Sequence, residues 1–451
     1  MGRIFGTDGA RGVANTGLTC ELAMQIGRAA AMVLIKNSDS HKRPKVLIGM
    51  DTRASSQMLE SAISAGLCSV GADVLQLGVV PTPAVAYLVR EYNCDAGVMI
   101  SASHNPCEYN GIKIFQSTGY KLPDALENEI EEIILDNVTE IPSPIGGEVG
   151  RVERKTDAIN DYIEHLLSAT NMSFKGYKIA LDCANGSSSV SAEEVFSRLG
   201  AEVVVISAEP DGVNINKDCG STHLENLQKC VVENGCDLGF AFDGDADRML
   251  AVDHTGEIVD GDKCIAICAK HMKQLGKLKK DTAVVTVMSN MGFFKFCEEN
   301  GIKCEKTNVG DRYVLENMSA NGYSIGGEQS GHIIFLQYAT TGDGQLSAIQ
   351  LLAVVKDTGR TLADLASEME VYPQVLINVR VSNFGKAQFK KDKEVQNAIK
   401  RVEDKLGNDG RILVRLSGTE PLIRVMLEGK DYDQICELGE SVASVVRERL
   451  V

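Results

Sequence analysis

Short runs of strand-forming residues alternate with helical stretches over the first three quarters of the 451-residue chain. No other feature narrows its fold as far. Runs that read as strands stand at Lys45–Met50, Val74–Leu77, Ala96–Ile100, Tyr177–Leu181, Val203–Ile206, Leu238–Phe242, Ala283–Val287 and Lys303–Glu305. Val190–Leu199 is among the helical stretches between them. Strands spaced by helices mark parallel α/β units. A chain this long exceeds one ordinary core, so several domains are expected. Pro142–Lys155, with its prolines and glycines, reads as a linker; His254–Glu257 reads as a turn, and a break falls near Val371–Pro373. The expected divisions are 1–152, 153–254, 255–370 and 371–451. The first three read as α/β domains. The last, with strand, helix, strand, strand and helix, reads as a smaller α+β domain.

Composition excludes several classes of function. A formal charge of -16 argues against nucleic acid and anionic membrane as partners. An anionic substrate would then need a local basic cleft. No apolar run is long enough to span a bilayer. Arg3 and Asp8 come early, where a secretory signal would carry its apolar region. The 13 cysteines are odd in number and form no C-x-x-C pair, as expected of reduced residues in the cytoplasm. Cys264 and Cys268, four apart on an expected helix, read as core.

In open α/β sheets ligands bind beyond the carboxyl ends of strands. Four loops stand at such ends. Ala96–Ile100 runs into Ser101-Ala102-Ser103-His104-Asn105-Pro106, and Asn110-Gly111-Ile112-Lys113 follows. A hydroxyl beside an imidazole, with a lysine nearby, suits covalent catalysis; the alternative is a turn that hydrogen-bonds its own backbone. Leu238–Phe242 runs into Asp243-Gly244-Asp245-Ala246-Asp247-Arg248. Three carboxylates at alternate positions can converge on a hard cation. An EF-hand loop would need glycine at its sixth position and glutamate at its twelfth, and those positions hold Arg248 and His254. Solvated aspartates are the other reading, although like charges so close repel without a cation. Gly326-Gly327-Glu328-Gln329-Ser330-Gly331-His332 lacks the G-x-S-x-G pattern of a hydrolase elbow. Its polar side chains suit sugar hydroxyls, or it is a bulged hairpin. Arg415, Ser417, Gly418, Thr419 and Arg424 can cradle a phosphate, or they form an ordinary turn between strands.

Together these loops resemble the α-D-phosphohexomutases. The resemblance runs from Phe5-Gly6-Thr7-Asp8-Gly9-Ala10-Arg11-Gly12 to beyond Arg424. It takes in Asp51-Thr52-Arg53, Asp182-Cys183-Ala184-Asn185-Gly186, Cys219-Gly220-Ser221-Thr222-His223 and Val309-Gly310-Asp311-Arg312-Tyr313. Gln329 resembles the branch that acts on glucosamine phosphates. Ala10 and the spacer Cys107-Glu108-Tyr109 depart slightly from the family pattern. The resemblance implies three similar mixed-sheet α/β domains, then a smaller α+β domain, with the active site in a central cleft. It implies interconversion of glucosamine 6-phosphate and glucosamine 1-phosphate, supplying UDP-N-acetylglucosamine synthesis. Phosphorylated Ser103 would donate to the sugar, forming a bisphosphorylated intermediate that also serves as activator. Asp243, Asp245, Asp247 and the Ser103 phosphate would hold Mg²⁺. Arg11 and Lys113 would act at the reacting oxygens and His332 as general acid or base. Glu328, Ser330 and Arg248 would bind substrate. Arg415, Ser417, Gly418, Thr419 and Arg424 would clamp the distal phosphate. His104 and His223 read as structural hydrogen-bonding residues. A homodimer is a further expectation. Glucose or mannose phosphates remain alternative substrates, and a phosphosugar-binding protein or an aspartyl-phosphate phosphatase remain alternative classes.

Overall fold

The computed structural model describes residues 2–6, 8–36, 43–136, 138–417 and 421–451. These divide into two compact units. One holds the residues up to Met288 with Gly301–Glu368; the other holds Ser289–Asn300 with Met369–Val451.

The first unit contains three mixed sheets among the described residues. The first runs, in spatial order, Phe5–Gly6, Gly9–Val13, Tyr109–Gln116, Ala96–Ile100, Lys45–Met50, Asp73–Val79 and Val152–Arg154. Its central strands are parallel and buried on both faces, which explains their continuous apolar runs. The second runs Ile258–Val259, Met249–Asp253, Leu238–Phe242, Lys178–Asp182 and Glu202–Ile206. The third runs Lys303–Thr307, Thr282–Thr286, Ile325–Gly327 and Ile333–Phe335.

All three sheets place their polar loop by the same device. Ala96–Ile100 lies parallel to Lys45–Met50 and returns antiparallel through Tyr109–Gln116. Leu238–Phe242 lies parallel to Lys178–Asp182 and returns through Met249–Asp253. Ile325–Gly327 lies parallel to Thr282–Thr286 and returns through Ile333–Phe335. The loop at each switch from parallel to antiparallel pairing sits at a strand's carboxyl end. These loops are 101–108, 243–248 and 328–332.

Several expectations change in detail, and the strand expected at 177–181 lies one residue later, at Lys178–Asp182. Residues 142–155 are not linker throughout, because Val152–Arg154 pairs parallel with Asp73–Val79 as the edge of the first sheet. All three residues of that strand are exposed, so backbone pairing makes it without any apolar periodicity. The helix expected at 190–199 is a 3₁₀ turn, Ser187–Val190, followed by a helix at Ala192–Arg198. The strand expected at 283–287 lies one residue earlier.

In the second unit, Gln374–Arg380, Leu422–Gly429 and Gly410–Leu416 form an antiparallel sheet in that order. Lys393–Leu406 and Tyr432–Leu450 pack with it around Val379, Val395, Val402, Ile423, Val425, Leu427, Val442 and Val446. A short helix, Asn383–Gln388, is added to the expected order. Ser289–Asn300 joins this unit through Asn290, whose side chain bonds both the N–H and the carbonyl of Tyr372. Cys264 and Cys268 are buried as expected. Among the described residues, no helix is long and apolar enough to cross a membrane.

Candidate active site

The three loops of the first unit meet. Ser103 is buried, and its hydroxyl donates to Asp243 Oδ2 at 2.5 Å. Its backbone is in the left-handed region, with φ of 54°. Such a conformation costs a non-glycine residue about 1–3 kcal/mol and persists only where its surroundings enforce it. Here they do. The Ser101 hydroxyl accepts from Ser103 N–H at 3.0 Å. Arg53 Nη2 and Asn216 Nδ2 donate to the Ser103 carbonyl at 2.9 and 2.8 Å. Arg53 is locked in turn by Asp51, 2.8 Å from its Nε. Gly244 packs on the same carbonyl so closely that a Cβ would lie 2.6 Å from the oxygen. Only glycine permits that approach between the serine and aspartate loops.

Asp243, Asp245 and Asp247 are buried, and a carboxylate oxygen of each lies within 4.8 Å of the others. Asp245 Oδ1 and Asp247 Oδ1 are buried without a hydrogen-bond partner. An unsatisfied buried carboxylate oxygen is costly. Two of them beside a third carboxylate fit an oxygen-ligated divalent cation. Burial, then the charges of Asp247 and Asp245, push the Asp243 carboxyl well above the ordinary range. For Asp247, burial works the same way but Lys113 and His332 override it, and its carboxyl is held low.

Lys113 Nζ lies 2.8 Å from Asp245 Oδ2, 3.2 Å from Asp8 Oδ2 and 3.5 Å from Asp247 Oδ2. Its side chain is 2% exposed. Burial alone would depress its pKa, but Asp245, Asp8 and Asp247 raise it, so the ammonium stays charged. Arg11 pairs with the Asp8 carboxylate. The Thr82 hydroxyl donates to Asp245 Oδ2 at 2.5 Å. Arg248 Nε lies 3.8 Å from Asp247 Oδ1, and its backbone N–H donates to Asp243 Oδ1 at 3.2 Å.

His332 reaches the cluster from the third loop. Its Nδ1 is 3.7 Å from Asp247 Oδ2, and its Nε2 accepts from Gly342 N–H at 3.0 Å. Burial lowers its pKa, Asp247 and Asp311 raise it, and the net shift is upward. Both ring nitrogens are engaged, so a proton shuttle at His332 would require one of these contacts to open. Glu328 accepts from Gly310 N–H at 3.0 Å, and Ser330 is exposed at the tip of the same loop. The loop is a hairpin turn, as the plainer reading of the sequence allowed. Gln329 donates to Asp260 Oδ2 at 3.1 Å.

His104 lies beside the serine. Its Nδ1 lies 3.3 Å from Ser103 Oγ, and burial followed by Arg248 and Arg11 lowers its pKa to about 4. It is therefore a neutral imidazole at physiological pH. In the second unit, Arg415 and Arg424 stand directly opposite on paired strands. Opposed residues share a face of the sheet. Burial and Arg424 together lower the Arg415 pKa. Ser417 is buried, with its N–H bonded to Leu422 O at 2.9 Å. Gly418 and Thr419 lie outside the described residues.

Sequence reasoning assigned no role to Asp8, Thr82, Lys121, Asn216 or Asp311. Asp8 and Asp311 lie within motifs that carried the family resemblance, which was their signal. Thr82, Lys121 and Asn216 had none, because their contacts span 113 to 190 residues.

Four domain families described as "Phosphoglucomutase/phosphomannomutase" match the chain. Alpha/beta/alpha domains I, II and III match residues 2–140, 160–256 and 260–372, and the C-terminal domain matches 376–445. The chain belongs to the phosphoglucomutase/phosphomannomutase family. Phosphoglucosamine mutase of Clostridium novyi is 56% identical over 449 residues, covering 100% of this chain and 99% of that protein. Phosphoglucosamine mutase of Caldicellulosiruptor bescii is 58% identical over 452 residues, covering 100% of both. A phosphoglucomutase/phosphomannomutase family protein from Burkholderia thailandensis superposes with a TM-score of 0.83 at 21% identity, covering 100% of this chain and 99% of that one. Aspergillus fumigatus N-acetylphosphoglucosamine mutase, solved with GlcNAc-6P and magnesium, superposes with a TM-score of 0.72 at 18% identity, covering 100% and 96%. These phosphohexomutase folds share the architecture of three α/β domains and a smaller C-terminal domain.

Proposed function

We propose that this phosphohexomutase interconverts glucosamine 6-phosphate and glucosamine 1-phosphate through a phosphorylated Ser103. The observation that carries the reading is the Ser103 hydroxyl 2.5 Å from Asp243, inside a carboxylate triad that can hold a cation. In the first half-reaction a substrate hydroxyl attacks the Ser103 phosphoryl group. The new sugar O–P bond forms as the Ser103 Oγ–P bond breaks, the hydroxyl proton passes to a base, and the sugar becomes a bisphosphate. After reorientation, the other phosphoryl group returns to Ser103. Transfer of this kind depends on positioning and charge stabilisation.

The residues divide accordingly. Asp243, Asp245 and Asp247 would hold Mg²⁺, the metal in the Aspergillus relative's complex. When bound, the ion would neutralise charge on the transferred group. Lys113, held as an ammonium, stabilises charge at the reacting oxygens and is unsuited to act as a base. Arg11 and Arg248 add guanidinium donors. Glu328 and Ser330 bind sugar hydroxyls, and His332 takes or returns the hydroxyl proton. Arg415, Ser417, Gly418, Thr419 and Arg424 hold the non-reacting phosphate. The preference for an amino sugar rests on the full-length relatives, since the Gln329 amide is engaged by Asp260.

A coupled assay with the 6-phosphates of glucosamine, glucose and mannose tests the proposal. Highest kcat/KM with the amino sugar is expected. Equal or higher kcat/KM with glucose or mannose phosphates would overturn the assigned substrate.

A further inference from the structure

Lys121 carries no role in the mechanism above, yet it bridges Asp8 and Asp311, which both face groups of the site. Strand Tyr109–Gln116 ends in a tight turn, where Gly119 N–H bonds Gln116 O at 2.9 Å. Gly119 has φ of +81°, a conformation that favours glycine. Thr340 Oγ1 clasps the turn by donating to Gly119 O at 2.7 Å. The chain then folds back, pairing Lys121 antiparallel with Phe115. Leu122 N–H bonds Ile114 O at 2.8 Å. Paired residues share a face, as do residues two apart along a strand. Lys121 therefore projects on the same face as Lys113.

That register places its ammonium between two carboxylates. Nζ lies 2.5 Å from Asp8 Oδ1 and forms an ion pair with Asp311, with its side chain 9% exposed. The other oxygen of Asp8 meets Lys113 Nζ at 3.2 Å and the Arg11 guanidinium. Asp311 Oδ2 is 3.6 Å from His332 Nε2. Thus Asp8 faces Lys121 together with Lys113 and Arg11, and Asp311 faces Lys121 together with His332.

We propose that Lys121 is a positioning residue for phosphoryl transfer. It fixes the Asp8 carboxylate so that its second oxygen aligns Lys113 and Arg11, and it holds Asp311 against His332. The role rests on the function proposed above. Its physical basis is geometric as well as electrostatic. Without the ammonium, Asp8 and Asp311 would face each other as like charges and turn apart. Rotation of Asp8 would release Lys113 and Arg11 from their alignment, and a misplacement of about 1 Å can cost about 100-fold in rate.

The test compares Lys121→Met, Lys121→Arg and the double variant Lys121→Met/Asp311→Asn in the full-length chain. Asp311→Asn removes the like-charge pair, so the double variant should unfold at a temperature close to the parent's. If Lys121 positions Asp8, kcat in both Met variants falls about 10- to 100-fold. KM for the sugar phosphate should stay within about threefold of the parent's, and Lys121→Arg should recover much of the loss. Parent-like kcat per folded molecule in Lys121→Met would refute the role. Full recovery in the double variant would also refute it, showing that Lys121 only neutralises Asp311. The parent's activity separates the two readings. An inactive parent refutes the assigned reaction, whereas an active parent with unchanged Lys121→Met refutes the positioning role.

Discussion

Replacing Arg53 with methionine should disable the serine loop from behind. The Arg53 side chain has no solvent exposure, and neither has that of its partner Asp51. Its guanidinium donates to the carbonyls of Ser103, Asn105 and Pro106, all within the serine turn. Asn216 also donates to the first two and Tyr109 N–H to the third, so loss of Arg53 leaves each carbonyl with one donor fewer. It also leaves the Asp51 carboxylate buried with only the Ser56 and Ser101 hydroxyls and one backbone N–H. Removing one partner of a buried ion pair costs about 3–5 kcal/mol. A further ~1–3 kcal/mol of left-handed strain at Ser103 would lose a main restraint and relax. Relaxation would carry Oγ away from Asp243, with an expected rate loss of about 100-fold. Lys at this position would keep the charge but lose the planar fork, giving an intermediate loss. Urea unfolding gives the stability change. Coupled turnover at saturating substrate, corrected for the folded fraction, gives the activity. Parent-like kcat per folded Arg53→Met molecule would refute the idea that Arg53 holds the nucleophile in place.

Ser103→Ala should abolish turnover without unfolding the chain, and peptide mass analysis of active parent should find phosphate on Ser103; phosphate on Ser101 alone would contradict this. Asp245→Asn should eliminate activity, and chelation of the parent should do so reversibly on restoring Mg²⁺; undiminished turnover after exhaustive chelation would show that the triad holds no catalytic ion. A pH effect is expected at Asp343, which caps the helix Gly344–Thr358 and accepts from Tyr162 Oη at 2.9 Å. Burial pushes its carboxyl from 3.8 up to about 7. A folded pKa above the unfolded one stabilises the protein below the unfolded value, and that contribution is lost as pH rises through 7. The linked free energy is on the order of 4 kcal/mol at most. Asp343→Asn keeps the capping oxygen and should therefore gain thermal stability over the parent between pH 4 and pH 8. Melting curves in metal-free buffer would check this, and a difference independent of pH would contradict the burial argument.

Much of the architecture and the chemical centre can be read from local patterns. Ala96–Ile100 and Leu238–Phe242 are apolar at every position because both faces of a parallel strand are buried. The polar residues that interrupt them, Ser101–Ser103 and Asp243–Asp247, must therefore mark strand ends. That logic needs only neighbours in sequence, so the strand-end placement of Ser103 and the three aspartates was legible before any fold was known. Other features had no local signal. Val152–Arg154 joins the first sheet by backbone pairing alone, with all three residues exposed. Asn216 and Arg53 restrain Ser103 from 113 and 50 residues away. Whether Lys113 is an ammonium or a base depends on Asp8, Asp245 and Asp247 converging on it from two domains. Strand formation follows from which residues shed water along a short stretch, and the sequence determines that directly. Charge state and strain depend on distances between residues far apart in the chain. Tertiary packing alone sets those distances, so it alone decided how the site is held and charged.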